Sequence, residues 1–282
     1  MSEVIEVPDL TEDEINTLRT WRQGDYTLDA REFPVMYVNE EGVFDVGWED
    51  VEGWVVLTQT CDIVNFVKGR DHVAVAPIVV AHPSLVAAVE NGTTPAAAKL
   101  ENNSGDNHVV DLTKLATVQK RSLAFMTRVV GFNSDETRSA FAQTLERRYG
   151  RFAFPDALSD GPVLAIRNQS KGKHGKDSAS GRVYRSLRCI RVVASPNFDT
   201  RGASVQFLAV MDEEEKLEAS AVEIKRELDG LAGSAKFTWP DEDFVRAVPL
   251  FRVVTPDSIS AREWFSSQQI DLDFISAPKN KG

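Results

Sequence analysis

Apolar and polar positions follow two rhythms along this chain, and the changes of rhythm mark its elements. Thr11-Glu12-Asp13-Glu14 is a capping box: the Thr11 hydroxyl accepts the Glu14 amide, and the Glu14 carboxylate reaches back. Ile15, Leu18 and Trp21 then recur at helical spacing, which predicts a helix over residues 11–22, stopped by Gly24-Asp25. Runs rich in valine and aromatics follow at 34–38 (PVMYV), 53–60 (GWVVLTQT) and 72–81 (HVAVAPIVVA), and these predict strands. Pro83–Glu90 reads as a short helix opened by its proline, and the polar stretch 91–107 as a loop. Strands are expected again at 108–112 and 122–131. Ser134 caps a helix reaching residue 149, with Asp135 and Glu136 in its first turn and Arg147 and Arg148 in its last, which suits the helix dipole.

In the second half, Pro155 makes 152–160 a connector, and 161–169 starts another helix. The stretch SKGKHGKDSASG at 170–181 reads as a flexible loop, of the kind proteases nick. Strands at 183–194 and Ala203–Met211, a helix at 213–231, a strand at Phe244–Val254 and a short helix at 258–265 complete the pattern. The order β-β-α-β is that of an α+β layer. The expected organisation is a lead-in and helix over 1–22, a β-rich domain over 23–152, and an α+β domain over 153–282.

Composition narrows the function classes. The 282 residues are 42% hydrophobic and 27% charged, enough to build a core. The net charge of −11 disfavours non-specific nucleic-acid binding by the whole surface, so any such contact needs a local basic patch. The longest apolar stretch, 73–81, is too short to span a bilayer, and the acidic start shows no signal-peptide core. Two distant cysteines, Cys61 and Cys189, fit a reducing cytoplasm, and with four scattered histidines they make no zinc-ligand spacing. No cofactor motif occurs: there is no P-loop, G-x-G-x-x-G, H-E-x-x-H or serine nucleophile elbow.

The order of motifs over residues 24–151 resembles the MazF/PemK family of small toxin barrels. The residues carrying it are Gly24-Asp25, then Trp54-Val55-Val56-Leu57-Thr58 with Asn65, then Val75-Ala76-Pro77-Ile78. Val110-Asp111-Leu112, Val118-Gln119-Lys120-Arg121 and Leu123 follow, before the helix ending at residue 149. The resemblance implies a small β-barrel with helices, followed here by a second α+β segment. It further implies a homodimer through the barrel, a bacterial toxin–antitoxin, phage-defence or stress setting, and contact with RNA or a protein partner. Two positions depart from the family. Its ribonucleases carry an arginine before the second strand and a Ser or Thr after the proline strand; this chain has Glu52-Gly53-Trp54 and Val79-Val80.

The candidate chemistry lies in two places. Polar residues follow directly on a buried strand at Thr58, Thr60, Cys61 and Asp62, and a strand end opening into a loop is a common place for a site. Cys61 is a nucleophile there if His72, His82 or His108 serves as its base. The plainer reading packs Cys61 as a small hydrophobe and makes Asp62 a turn cap. Likewise His82 is either a phosphate contact or a capping residue. Arg70, in the loop between two strands, is the candidate cation for phosphate chemistry. The second place is 167–188, where Arg167, Lys171, Lys173, Lys176, Arg182, Arg185 and Arg188 face one acid, Asp177. Lysines on a Gly/Ser loop can follow a phosphate backbone, and Tyr184 can stack on a base. The alternative is a solvated loop paired with the acidic run from Asp212 through Glu213, Glu214 and Glu215. Phe44, Trp48, Trp54, Trp264 and Phe265 read as core, and Leu272, Phe274 and Ile275 as a tail that docks on the chain or binds a partner. Asp271 and Asp273 flank Leu272 but lack a third metal ligand.

Three functions remain open on these residues: a divergent endoribonuclease using general acid–base attack of a ribose hydroxyl, a catalytically silent protein-binding regulatory module, and a cysteine-dependent enzyme built on Cys61. The missing arginine and Ser/Thr favour the second; the basic segment favours the first.

Overall fold

The structure, a computed structural model, describes residues 10–67, 69–102, 105–213, 216–272 and 275. Of the residues discussed above, Glu214, Glu215, Asp273 and Phe274 lie outside these, as does the lead-in before residue 10. The protein is α+β, and the chain divides into two compact units between Tyr149 and Gly150, slightly before the expected boundary at 152.

The N-terminal unit opens with α1 (Glu12–Leu18), β1 (Tyr26–Thr27), β2 (Glu32–Val38), β3 (Phe44–Asp50), β4 (Gly53–Val56) and α2 (Thr60–Ile63). It continues with β5 (His72–Val80), α3 (Pro83–Glu90), β6 (Ala97–Ala98), β7 (His108–Asp111), β8 (Ala116–Gln119), α4 (Lys120–Ala124) and α5 (Asp135–Tyr149). The capping box forms as the sequence predicts: Thr11 and Glu14 exchange both bonds. β5 is the spine of a sheet ordered β1-β4-β5-β7-β6, with β8 also on β5. Among the described residues no ladder joins β6 back to β1. Residues 129–131 stand between them through single contacts: Tyr26 and Val129 exchange amide bonds at 3.0 and 2.7 Å, and Asn102 N donates to Gly131 O at 3.1 Å.

β1 pairs directly with β4, Tyr26 against Val55 and Thr27 against Trp54. The β2–β3 hairpin is extruded from the connection between them as a separate two-stranded sheet. Gly53 permits this exit, since a β-carbon on it would stand 2.2 Å from the Thr27 carbonyl oxygen. Phe33 roots the hairpin in the core, edge-on to Trp54 at 6.0 Å, and Trp54 Nε1 donates to Glu32 O.

The C-terminal unit comprises α6 (Asp156–Leu158), a π-helical turn (Ser159–Val163), α7 (Leu164–Lys173), α8 (Ala179–Arg185), β9 (Leu187–Ser195) and β10 (Ala203–Met211). Then come α9 (Ala221–Ala232), β11 (Phe244–Val254), α10 (Ala261–Ser266) and β12 (Gln268–Gln269). The sheet order is β11-β10-β9-β12, with β10 and β11 parallel across the α9 connection. Phe207, at the centre, stacks on Phe251 at 5.1 Å and meets Phe237 edge-on.

Several expectations are corrected. Residues 122–131 do not form a strand: α4 occupies the start, because Leu123 is buried on a helical turn whose Arg121 Nε bonds Glu14. The loop expected at 91–107 contains β6. The loop expected over 170–181 is confined to residues 174–178, between the end of α7 and the start of α8, and the strand expected from 183 begins at Leu187. Phe44 and Trp48 are not core; they are 77% and 62% exposed, because the hairpin turns them away from the body. Trp264 and Phe265 are exposed as well. Leu272 and Ile275, by contrast, are buried in the C-terminal core, as the docked-tail alternative expects.

Candidate functional site

The chain leaves β4 through Leu57 and Thr58 and enters α2 at Thr60. The hydroxyls of this turn have structural partners. Thr58 Oγ1 accepts the Ala74 amide at 2.7 Å, and Thr60 Oγ1 accepts the Gln23 amide at 3.1 Å. Gln23 Nε2 donates to Leu57 O at 2.7 Å. Lys120 lies buried beneath the turn and donates to Asp62 O at 2.5 Å and Asn65 O at 2.7 Å, covering the carbonyl end of α2. Burial holds its ammonium below the ordinary lysine range. Arg70 Nη1 bonds Asp62 Oδ1 at 2.9 Å, with both side chains largely exposed. The five residues proposed for catalysis therefore do lie together, but the two threonines serve the backbone and Arg70 serves Asp62.

Cys61 is exposed, which corrects the reading of it as a packed hydrophobe. Among the described residues its hydrogen-bond partner is Gln59 Oε1 at 3.7 Å, an amide oxygen and not a base. His82 is the capping residue of α3, its Nδ1 accepting the Ser84 amide.

The basic segment is ordered by its own cations. Arg185 donates through Nε and Nη2 to Glu218 and through Nη1 to His174 O and Lys176 O, tying the α7–α8 link to helix α8. That bond raises the Arg185 pKa and holds the Glu218 carboxyl below its ordinary range. Arg167 Nε donates to Asp271 O, and Arg188 reaches Glu213 at 3.9 Å. Lys171, Lys173, Lys176 and Arg182 remain without an ion pair among the described residues. Tyr184, expected to stack on a base, is fully buried, and burial pushes its hydroxyl well above the ordinary tyrosine range.

The feature that sequence reading missed is β3 and what it creates. Direct cross-strand partners share a face. Pro34 pairs with Trp48, Met36 with Val46, and Val38 with Phe44, so six apolar side chains line one face of the hairpin. Met36, Val38, Phe44, Val46 and Trp48 are all exposed. At ordinary side-chain sizes they present on the order of 600 Å² of apolar surface, against the ~300–600 Å² of a typical monomer's largest patch. The turn is well specified: Asn39 Oδ1 accepts the amides of Glu41 and Val43, and Gly42 takes φ +77°. On the opposite face the Tyr37 ring covers Gly47, where a β-carbon would come within 3.1 Å. The signal was available in the period-2 alternation of Phe44, Val46 and Trp48 with Asp45, Gly47 and Glu49.

No protein-family model, curated protein or solved structure matches this chain. Among the described residues no helix is long and apolar enough to cross a membrane, and no group of three or more His, Cys, Asp or Glu gathers to hold a metal ion.

Proposed function

We propose that this chain is a protein-docking module whose docking element is the outer face of the β2–β3 hairpin, and that its occupant is a segment of a different protein with apolar anchor residues. The observation that carries the reading is that face: three cross-strand apolar pairs, left largely exposed among the described residues, on a hairpin whose turn and root are fixed. A patch of ~600 Å² approaches the ~800 Å² per partner of a standard interface. A hairpin already ordered before binding loses little entropy on docking. The resemblance to MazF/PemK toxins supports a cytoplasmic bacterial defence or stress setting for this module, and it rests on that resemblance alone.

The endoribonuclease reading has weaker support. Its threonines and Arg70 are committed to local structure. What favours RNA contact is the group Lys171, Lys173, Lys176 and Arg182, cations without an ion pair among the described residues.

The test is reconstitution. A partner recovered from cells expressing the full chain is purified and its Kd measured. Phe44→Asp with Trp48→Asp should weaken it at least ~100-fold, as expected for central anchors, with an unchanged circular dichroism melt. Equal binding by the double variant would overturn the reading. So would cleavage of mixed-sequence RNA by the full chain that disappears in Arg70→Ala.

A further inference from the structure

The charge around the hairpin face narrows the occupant. Residues 32–50 hold six acids and no lysine, arginine or histidine. Glu49 is neutralised by Lys114. Glu32, Glu40, Glu41, Asp45 and Asp50 make no ion pair among the described residues. Their placement matters more than their number. Glu32 stands directly opposite Asp50, both exposed, on the same face as the apolar pairs and next to Pro34 and Trp48. Like charges opposite one another in a ladder are destabilising, and among the described residues no cation pairs with either carboxylate. At the other end of the strip, beyond Val38 and Phe44, the exposed turn carries Glu40 and Glu41. The face is thus an apolar strip closed at both ends by unpaired carboxylates. At a strand's rise per residue the two acidic ends lie ~25 Å apart.

This arrangement argues against a second copy of the chain. A two-fold interface places the same patch on both sides. Antiparallel docking would set Glu32 and Asp50 of one copy against Glu40 and Glu41 of the other, and parallel docking would set each acidic end on its twin. Either way carboxylates meet in a closing interface, where like charges are costly. It argues equally against a nucleic-acid backbone on this face.

We infer that the occupant is a cationic protein segment: apolar side chains that fill the strip, flanked at both ends by lysine or arginine. This rests on the docking reading above and goes further, in fixing the sign of the partner's charge. The lysine or arginine groups meet Glu32 and Asp50 at the root and Glu40 and Glu41 at the turn, while the apolar residues cover Met36, Val46 and Trp48.

The experiment uses the full chain and two fluorescent strand-forming peptides with the same apolar core, one flanked by lysines and one by glutamates. The lysine peptide should bind at least ~10-fold tighter, with affinity falling as salt rises. Glu40→Lys with Glu41→Lys, which makes the turn end cationic while Glu32 and Asp50 keep the root acidic, should remove the preference, and Phe44→Asp with Trp48→Asp should abolish binding of both. Equal, salt-independent binding of the two peptides, lost in the Phe44/Trp48 variant, would overturn the cationic assignment while leaving the docking face intact. Self-association of the full chain in sedimentation, lost in that same variant, would also overturn it in favour of a second copy. Binding of neither peptide would overturn it too, and the docking reading would then stand or fall on the reconstituted complex alone.

Discussion

Gly131 lies against the carbonyl of Gly24 so closely that a β-carbon on it would stand 1.9 Å from that oxygen. The approach exists because Asp25 is fully buried and gathers the chain around it. Its Oδ2 accepts the Arg22 amide at 2.8 Å and Arg128 Nε at 2.6 Å, with Arg138 at 3.6 Å from Oδ1. Tyr26, the next residue, bridges Val129 and so sets 129–131 beside β1. Any side chain at 131 must push these two backbones apart. Gly131→Ala should therefore destabilise the N-terminal unit by about 3 kcal/mol, read by urea unfolding. Gly172→Ala, in α7 with nothing within 4 Å of the added carbon, is the control and should be neutral or stabilising by up to about 1 kcal/mol. Equal effects at the two glycines would contradict the close approach.

Cys61 is exposed and Cys189 is buried in the C-terminal sheet. A thiol reagent should modify Cys61 in the native protein and Cys189 only on unfolding. That contrast follows from burial alone, so rapid labelling of Cys61 does not mark it as a nucleophile. The informative variant is Cys61→Ser, which should leave partner binding by the hairpin unchanged. Loss of binding or of any detected activity in Cys61→Ser would return the turn to the list of working sites.

How far the sequence reveals this protein depends on where the deciding contact comes from. Caps are local, so Thr11 with Glu14, and His82 ahead of Pro83, are legible from spacing. The segment 170–181 looks loop-like because its glycines and serines are local facts, whereas its order comes from Arg185 reaching back to two carbonyls and from Gly181 packing 2.0 Å, in β-carbon terms, from Lys176 O. Residues 122–131 offer apolar positions at either period, and burial of Leu123 beside α1 decides for helix. Phe44 and Trp48 depart from expectation for a different reason. Alternation identifies two faces of a strand but not which one the body covers, and here the larger side chains take the uncovered face. The turn at 58–62 stands out in the sequence because polar residues follow directly on a buried strand. Its purpose was not legible, because the partners of its hydroxyls, Gln23 and Ala74, lie far away in sequence.

Lys120 is the buried support of that turn. Replacing it with methionine keeps the packing against Phe66 but removes both donors from Asp62 O and Asn65 O. The two carbonyls are then left without that partner, which costs about 1–3 kcal/mol for a buried group. Lys120→Met should lower the urea midpoint and quicken proteolysis around α2, whereas Arg70→Met, which breaks an exposed pair with Asp62, should change stability by less than about 1 kcal/mol. If Arg70→Met proved the costlier change, the turn would be held from outside and not from beneath.

The sharpest acid sensitivity is expected in the C-terminal unit, at Glu263. Its Oε1 pairs with Arg252, and its Oε2 accepts Ser260 N and Ser260 Oγ, each at 2.9 Å, closing the capping box of α10. The Arg252 bond is the largest cause, the Ser260 bonds the next, and together they hold the carboxyl at about 2 against an ordinary 4.5. As pH falls, the unfolded chain takes up this proton first. The contribution of Glu263 is therefore complete above about pH 4.5 and lost as pH falls through about 2. Glu263→Gln keeps the amide oxygen but not the charge. It should melt about 1–3 °C below the unaltered chain near neutral pH, a small shift because the pair is partly exposed. The gap should close between about pH 4.5 and 2, where the unaltered chain loses the same charge. Melts of both proteins across that range, at low salt, decide it: curves that stay parallel would show that the Arg252–Glu263 pair contributes nothing to the folded state.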